Sequence, residues 1–276
     1  MENEGIIRIS LFLTIFIGIV LWERSRPRRT TDQHKMQRWR INLSLTVLNT
    51  IIIRMIFPMA AVGMAFFAEQ NDLGLFNIID IPFPLAILLS VIFMDLFIYF
   101  QHVLFHAVPA LWRLHMVHHT DLDYDLTTGI RFHPIEIIIS MGLKSLVILA
   151  LGPPAVAVLI FEILLNSCAM FNHGNIKLPT KLDAVLRTLI VTPDMHRVHH
   201  STIKTETNSN YGFNLSIWDK FFGTYKATSK NNQSNMDIGL ENYRNQSELS
   251  FFRLLKLPFI AHVGQYPINR EKTENS

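Results

Sequence analysis

Five long apolar runs organise the chain: Ile6 to Trp22, Ile41 to Ala68, Ile81 to Phe105, Ile135 to Leu151 and Ala155 to Phe171. At 1.5 Å per residue the shorter runs reach about 25 Å as helices, enough for a thin or locally thinned hydrocarbon core. One such run is compatible with the buried helix of a soluble protein, but five in one chain point to a bilayer. Gly152-Pro153-Pro154 interrupts the pattern between the fourth and fifth runs and predicts a tight membrane hairpin. The pattern therefore predicts three crossings and one hairpin, all helical. The first run does not read as a secretory signal, because its flank Met1-Glu-Asn-Glu is acidic and no small-residue cleavage site follows Trp22.

Composition agrees with the pattern: 49% of residues are hydrophobic and the mean hydropathy is positive. The net charge of +3 says little, but its distribution is informative. Arg24, Arg26, Arg28, Arg29, Lys35, Arg38 and Arg40 crowd the segment between the first two runs, against Glu23 and Asp32. A nucleic-acid patch would also be basic. The location between two spans favours the positive-inside rule, which puts this block in the cytoplasm and the N-terminus outside, and no nucleic-acid partner is expected. The loop from Glu69 to Asp80 has three acids and no Lys or Arg, as an outside loop should. The single cysteine, Cys168, excludes an intramolecular disulfide and reads as a packed small residue. Residues 1–80 form the N-terminal spans and basic loop, 81–226 a catalytic domain and 227–276 a polar C-terminal tail. The last ~10 residues of that tail are expected to be disordered.

The chemistry lies in the histidines. Ten of the twelve fall between residues 102 and 200. His102-Val-Leu-Phe-His106 is an H-x-x-x-H; His115-Met-Val-His118-His119 and His196-Arg-Val-His199-His200 both read H-x-x-H-H. On a helix, positions i, i+3 and i+4 share a face. Three imidazoles on one face are costly to pack and desolvate unless a metal binds them, and neutral imidazole suits Fe, Zn and Cu. The boxes give eight nitrogens; His133 and His173 bring the total to ten. One catalytic zinc takes three protein ligands and a structural zinc four, so the count fits two metals with four or five nitrogens each. A haem, with one or two axial ligands, leaves most of these histidines unexplained. The charge rule places every box on the cytoplasmic side, at the ends of spans that a lipid tail reaches laterally. Redox-active iron there could activate O₂ against an unactivated C–H bond, a one-electron chemistry that zinc lacks.

With these residues in view, the chain resembles the fatty acid hydroxylase/sterol desaturase superfamily. The resemblance runs from Asp95 to His106, through Leu111-Trp-Arg-Leu-His115 to His119 and Thr127 to Glu136 with its Arg-Phe-His-Pro-x-Glu. It continues through Phe171-Asn-His173, Met195 to His200, and Asn210-Tyr-Gly to Gly223-Thr-Tyr. It implies an all-α polytopic membrane bundle whose cytosolic helical cap carries a histidine-ligated dimetal site. It further implies two non-haem Fe ions, O₂ as cosubstrate, and electrons from a separate ferredoxin- or cytochrome-type carrier with its reductase. Fatty acyl, sterol and ether-lipid C–H bonds are the substrates it suggests, drawn from the bilayer. Desaturation at the same centre is the alternative chemistry. A membrane metal or haem carrier is the alternative class, disfavoured because the histidines gather on one membrane face.

Single residues complete the expectation. His102, His106, His115, His118, His119, His133, His173, His196, His199 and His200 are the candidate metal ligands. For His133 and His173 a hydrogen-bonding role beside the metals is the alternative. Asp95 lies seven residues before His102 on the same helix face and inside a span; it is expected to orient His102 or another ligand, or else to make a polar packing contact. Asp194 and Glu136 are candidates for the same supporting role, or are a helix cap or a solvated residue. Arg54, inside the second run, either binds a lipid head group or snorkels to the interface. His34 and His262 lie outside the pattern and read as surface residues. The stretch from Asn210 to Tyr225 reads as a packed cytosolic cap.

Overall fold

A computed structural model describes residues 4–30, 34–260 and 262–269 of the chain. The described residues are helices and loops, with extended backbone paired only in isolated bridges. The long helices are α1 (Glu4–Ser25), α2 (Lys35–Ile56), α3 (Ala60–Gln70), α5 (Phe83–Ala107), α7 (Pro134–Leu151) and α8 (Ala155–Asn172), with a single turn α4 (Leu75–Ile78) before α5. Between α5 and α7 stands α6 (Pro109–His119). After α8 come α9 (Thr180–Leu186), α10 (Pro193–His199), α11 (Lys204–Thr207), α12 (Ile217–Phe221) and α13 (Phe251–Ile260). Five segments are long and apolar enough to cross a membrane: α1, the stretch containing α2 and α3, α5, α7 and α8.

The second apolar run is bent, which its hydropathy alone did not predict. Pro58 lacks the amide that would continue α2, and it pushes Phe57 out of the helical region. The bend sits at mid-depth: a Cβ added to Gly142, halfway along α7, would lie 4.0 Å from Phe57 Cζ. The hairpin follows the sequence. Gly152 ends α7 in the left-handed region at φ 61° and ψ 47°, and Pro154 leads directly into α8. Gly152 also meets a second glycine there. A Cβ on Gly74 (φ 92°) would stand 2.2 Å from Gly152 N, so the loop before α4 touches the hairpin through bare backbone. Between these ends, Ala61, Val62 and Ala65 of α3 pack against Met94 and Ile98 of α5, Ile148 of α7 and Val158 and Phe161 of α8. Small residues let the helix backbones approach closely, the usual basis of packing in lipid.

A cap of α6 and α9 to α13 closes the other end. The segment from 227 onward is more than a polar tail. Met236, Ile238 and Leu240 are buried at alternate positions, and α13 packs Leu254 and Leu257 against Ile41, Leu45, Trp112 and Met116. The chain then returns to α5, where Ile268 N donates to His106 O at 3.0 Å. Of the final residues expected to be disordered, 270–276 lie outside the described residues.

The cap is fastened to α2 by buried charge. The Arg38 guanidinium donates to both oxygens of Asp121 at 2.6 and 2.8 Å and to Asp125 at 3.0 Å, with Asp123 Oδ2 at 3.5 Å. Asn42, one turn on, donates to Asp121 and Thr127. Arg131 bonds Val117 O, Asn42 and Thr120. The sequence pattern counted Arg38 only as one charge of the basic block. Here it is fully buried and holds the loop between His119 and His133. Removing one member of a buried, hydrogen-bonded ion network leaves the others uncompensated. Arg38→Ala is expected to destabilise the fold by about 3–5 kcal/mol. Thermal unfolding in detergent measures this, and Arg38→Lys should rescue it only in part, since an ammonium cannot bond both Asp121 oxygens in parallel.

Candidate metal centre

Nine histidines converge where the spans meet the cap. The last turns of α5 bring His102 and His106. Helix α6 opens at Pro109, where the missing amide costs no hydrogen bond, and brings His115, His118 and His119. His173 follows the last turn of α8; α10, again opening at a proline, brings His196 and His199, with His200 just beyond. All nine are buried. They form two groups, within each of which the ligating nitrogens lie within 4.8 Å of one another. One holds His102, His106, His115, His119 and His199; the other holds His118, His173, His196 and His200. The groups adjoin, with the His119 and His200 rings stacked 4.6 Å apart.

Each H-x-x-H-H box serves both groups. His115 and His119 enter the first while His118 crosses to the second; His196 and His200 enter the second while His199 crosses to the first. Helix geometry explains the split. With 3.6 residues per turn, i+4 lies about 40° to one side of i, and i+3 about 60° to the other. The box is one face, but a face wide enough to border two sites.

Five rings have a fixed acceptor on Nδ1. His102 donates to Tyr211 O at 2.8 Å, His106 to Asn208 Oδ1 at 3.1 Å and His115 to Glu136 Oε1 at 2.7 Å. His173 donates to Ala169 O at 2.8 Å and His199 to Ser209 O at 2.7 Å. A neutral ring with its proton on Nδ1 has a bare lone pair on Nε2. Those lone pairs point inward. His102 Nε2 and His115 Nε2 face each other at 3.2 Å, and neither carries a proton to share. His173 Nε2 faces the Nε2 atoms of His118, His196 and His200 at 3.1–3.2 Å. Nε2 of His106, His119 and His199 is buried without a protein partner. Bare lone pairs aimed at one another repel unless a cation stands among them, and all-imidazole donor sets fit transition metals. The residues present therefore fit two metal ions.

Electrostatics keep the donors in their binding form. Burial holds His115 and His173 down at about 3. The rings of His118, His119, His196, His199 and His200 are held well below the ordinary imidazole value by burial, then by neighbouring imidazoles. Neutral imidazole is the ligating species.

The tenth candidate, His133, is not brought to either group. Its Nδ1 accepts from Ile135 N as the cap of α7, and its Nε2 lies 3.2 Å from Leu255 O. A His-Pro at a helix start makes this cap, a reading the metal-like spacing obscured. Asp95 does not reach His102. Its Oδ2 accepts from Trp218 Nε1 at 2.8 Å and Leu215 N at 3.2 Å, tying α5 to the loop whose Tyr211 carbonyl orients His102. Glu136 does orient a histidine, His115. Asp194 bonds Arg28 and Arg197 instead, and buried Arg197 lies over the Tyr124 ring, itself stacked on His173. Arg54 is exposed on α2, and His34 and His262 are exposed as expected. The supports that sequence reasoning missed are mostly carbonyls, Tyr211, Ser209 and Ala169, which no residue type announces. Asn208 is another; its amide is held by Tyr266 O, and the Tyr266 ring stacks on Trp112.

Residues 87–224, half of the chain, match the profile of the fatty acid hydroxylase family. The chain belongs to this family. Among curated relatives it is 28% identical to an ornithine lipid hydroxylase of Rhizobium tropici over 246 residues, 83% of this chain and 70% of that one. It is 31% identical to the alkylglycerol monooxygenase of Homo sapiens over 137 residues, 48% of this chain and 28% of that protein. The Xenopus tropicalis alkylglycerol monooxygenase is 28% identical over 69% of this chain and 42% of its own length. The chain thus spans less than half of the alkylglycerol enzymes. No solved structure matches it.

The Glu136 contact is testable. Glu136→Ala removes the acceptor that fixes the His115 ring, and metal affinity should fall about 10–100-fold. Competition with a chelator reads the loss, and Glu136→Gln, which keeps an oxygen acceptor, should lose less.

Proposed function

We propose that this family member hydroxylates a membrane lipid, using O₂ at a di-iron centre held by the nine clustered histidines. The observation that carries the reading is the pair of adjoining imidazole groups at one end of apolar spans. The net reaction converts a lipid C–H, O₂, two electrons and two protons into a lipid C–OH and water. Two bound irons would supply the activation of O₂ and the attack on an unactivated C–H bond. The chain's own residues bind and orient: the Nδ1 acceptors fix five tautomers and aim their Nε2 lone pairs inward. Burial of all nine rings excludes bulk water from the reacting region. A lipid in the bilayer reaches this end of the spans without leaving the apolar phase. The electrons come from a separate one-electron carrier of ferredoxin or cytochrome type. The hydroxylase and monooxygenase relatives support the chemistry, and ornithine lipids or alkylglycerols are the substrate classes they suggest. The basic segment 24–40 and the acidic loop 69–80 support a cytoplasmic position for the site.

Iron-replete protein should hold about two irons per chain. Cells supplied with ¹⁸O₂ should yield one labelled oxygen in a lipid, and His115→Ala or His199→Ala should abolish it while the protein remains in the membrane. One metal or none with full activity would refute the dimetal reading, and a new double bond without label would make the enzyme a desaturase. For the side of the membrane, Ser234→Cys, at an exposed cap position, should be labelled only after permeabilisation; labelling in intact cells would place the cap outside.

A further inference from the structure

Six aromatic side chains pack on the two histidine groups: Phe105, Trp112, Tyr124, Phe132, Tyr211 and Phe213. Four of them are fully buried; Phe132 and Phe213 are partly exposed. Phe213 lies 6.3 Å from His102, a member of the first group, and packs into the apolar cluster between the spans. Phe132 is the one of the six that reaches both groups. Its ring stacks on His118 at 4.6 Å and 9°, and lies 6.3 Å from His115 at 24°.

Its place in the fold gives that contact meaning. Phe132 O accepts from Asn49 of α2 at 3.0 Å, and the next residue caps α7. One turn into α7, Glu136 touches His115. The residue therefore stands beside α2 at the start of α7, with its ring stacked on the His118 imidazole and partly exposed. The imidazoles themselves are buried, so this partly exposed ring offers an apolar surface in contact with a member of each group.

Resting on the hydroxylase reading above, we propose that Phe132 lines the lipid's approach and sets which carbon is held opposite the two metal groups. A phenyl ring is an apolar, rigid stop, with few side-chain torsions to give way. Changing an apolar pocket by one methylene alters selection about 10–200-fold, so shortening this side chain should shift the register of the bound chain. The plain alternative is that Phe132 only braces His118.

Two measurements separate these roles. Phe132→p-benzoylphenylalanine, irradiated in native membranes, should form a covalent adduct with a membrane lipid, read by mass spectrometry. The same probe at buried Phe105, which also lies against His115, should crosslink to protein only. Protein-only crosslinks at position 132 would overturn the proposal. Phe132→Leu and Phe132→Ala should keep the parent's metal content and move the hydroxyl by one or more carbons, with the larger shift for Ala. An unchanged product position, or a loss of metal from both variants, would assign the ring to bracing alone. If the parent protein oxidises no lipid, the hydroxylase reading falls, while the crosslink still decides whether Phe132 meets lipid.

Discussion

The structure depends on holding unprotonated imidazole nitrogens against one another in a buried space. His102 Nε2 and His115 Nε2 stand 3.2 Å apart while both rings give their Nδ1 protons to other acceptors. Such an arrangement is repulsive in the absence of a cation, and each ring has also lost its hydration. The surrounding protein must therefore oppose a local tendency to spread. It does so from several directions. Glu136 holds His115, while three backbone carbonyls and Asn208 hold four further rings. Arg38 closes its network on the loop that follows His119, and the terminal segment bonds back to the carbonyl of His106.

The membrane half contributes rigidity rather than ligands alone. His102 and His106 ride on α5, whose Met94 and Ile98 are locked against α3, α7 and α8. Asp95 belongs to the same helix and acts at one remove. It anchors Trp218 and Leu215, and Asp219 in turn accepts the amides of Tyr211 and Gly212. The Tyr211 carbonyl then sets the His102 ring. An acid inside an apolar helix thus shapes the metal centre through a loop over a hundred residues away in sequence. Gly129 shows how little room is left: a Cβ there would stand 2.5 Å from Ala169 O, the acceptor of His173.

Much of this was legible in the sequence. Apolar length marked the spans, Gly152-Pro-Pro the hairpin, histidine spacing the convergence and the number of imidazoles the existence of two groups, while the division of each box between them was not foreseen. These signals are local, written in periods of a few residues. The parts that were not legible depend on contacts between distant segments or on backbone atoms. The bend at Pro58 was hidden because hydropathy continues unbroken through it. Arg38 looked like one more interfacial charge because its three acids lie more than eighty residues away. Carbonyl acceptors leave no mark in residue type. His133 carried the right residue at the wrong task, since capping a helix and binding a metal both call for an imidazole at a helix end. The C-terminal segment seemed polar because Met236, Ile238 and Leu240 are scattered among Asn, Lys and Ser, and the apolar α13 is only ten residues long.

The exchange of one histidine between the two boxes has a consequence for how the protein matures. Since His118 and His199 each cross to the other box's group, neither site can be completed by one segment and its nearest support. The 115–119 and 196–200 turns must be in register, with the end of α5 for one group or His173 for the other, before either donor set is complete. By then the second set is largely assembled as well. With an ion in each group, loading would be coupled: the first ion captured would remove most of the ordering cost for the second, and forms with a single ion would be disfavoured relative to the empty and filled ones.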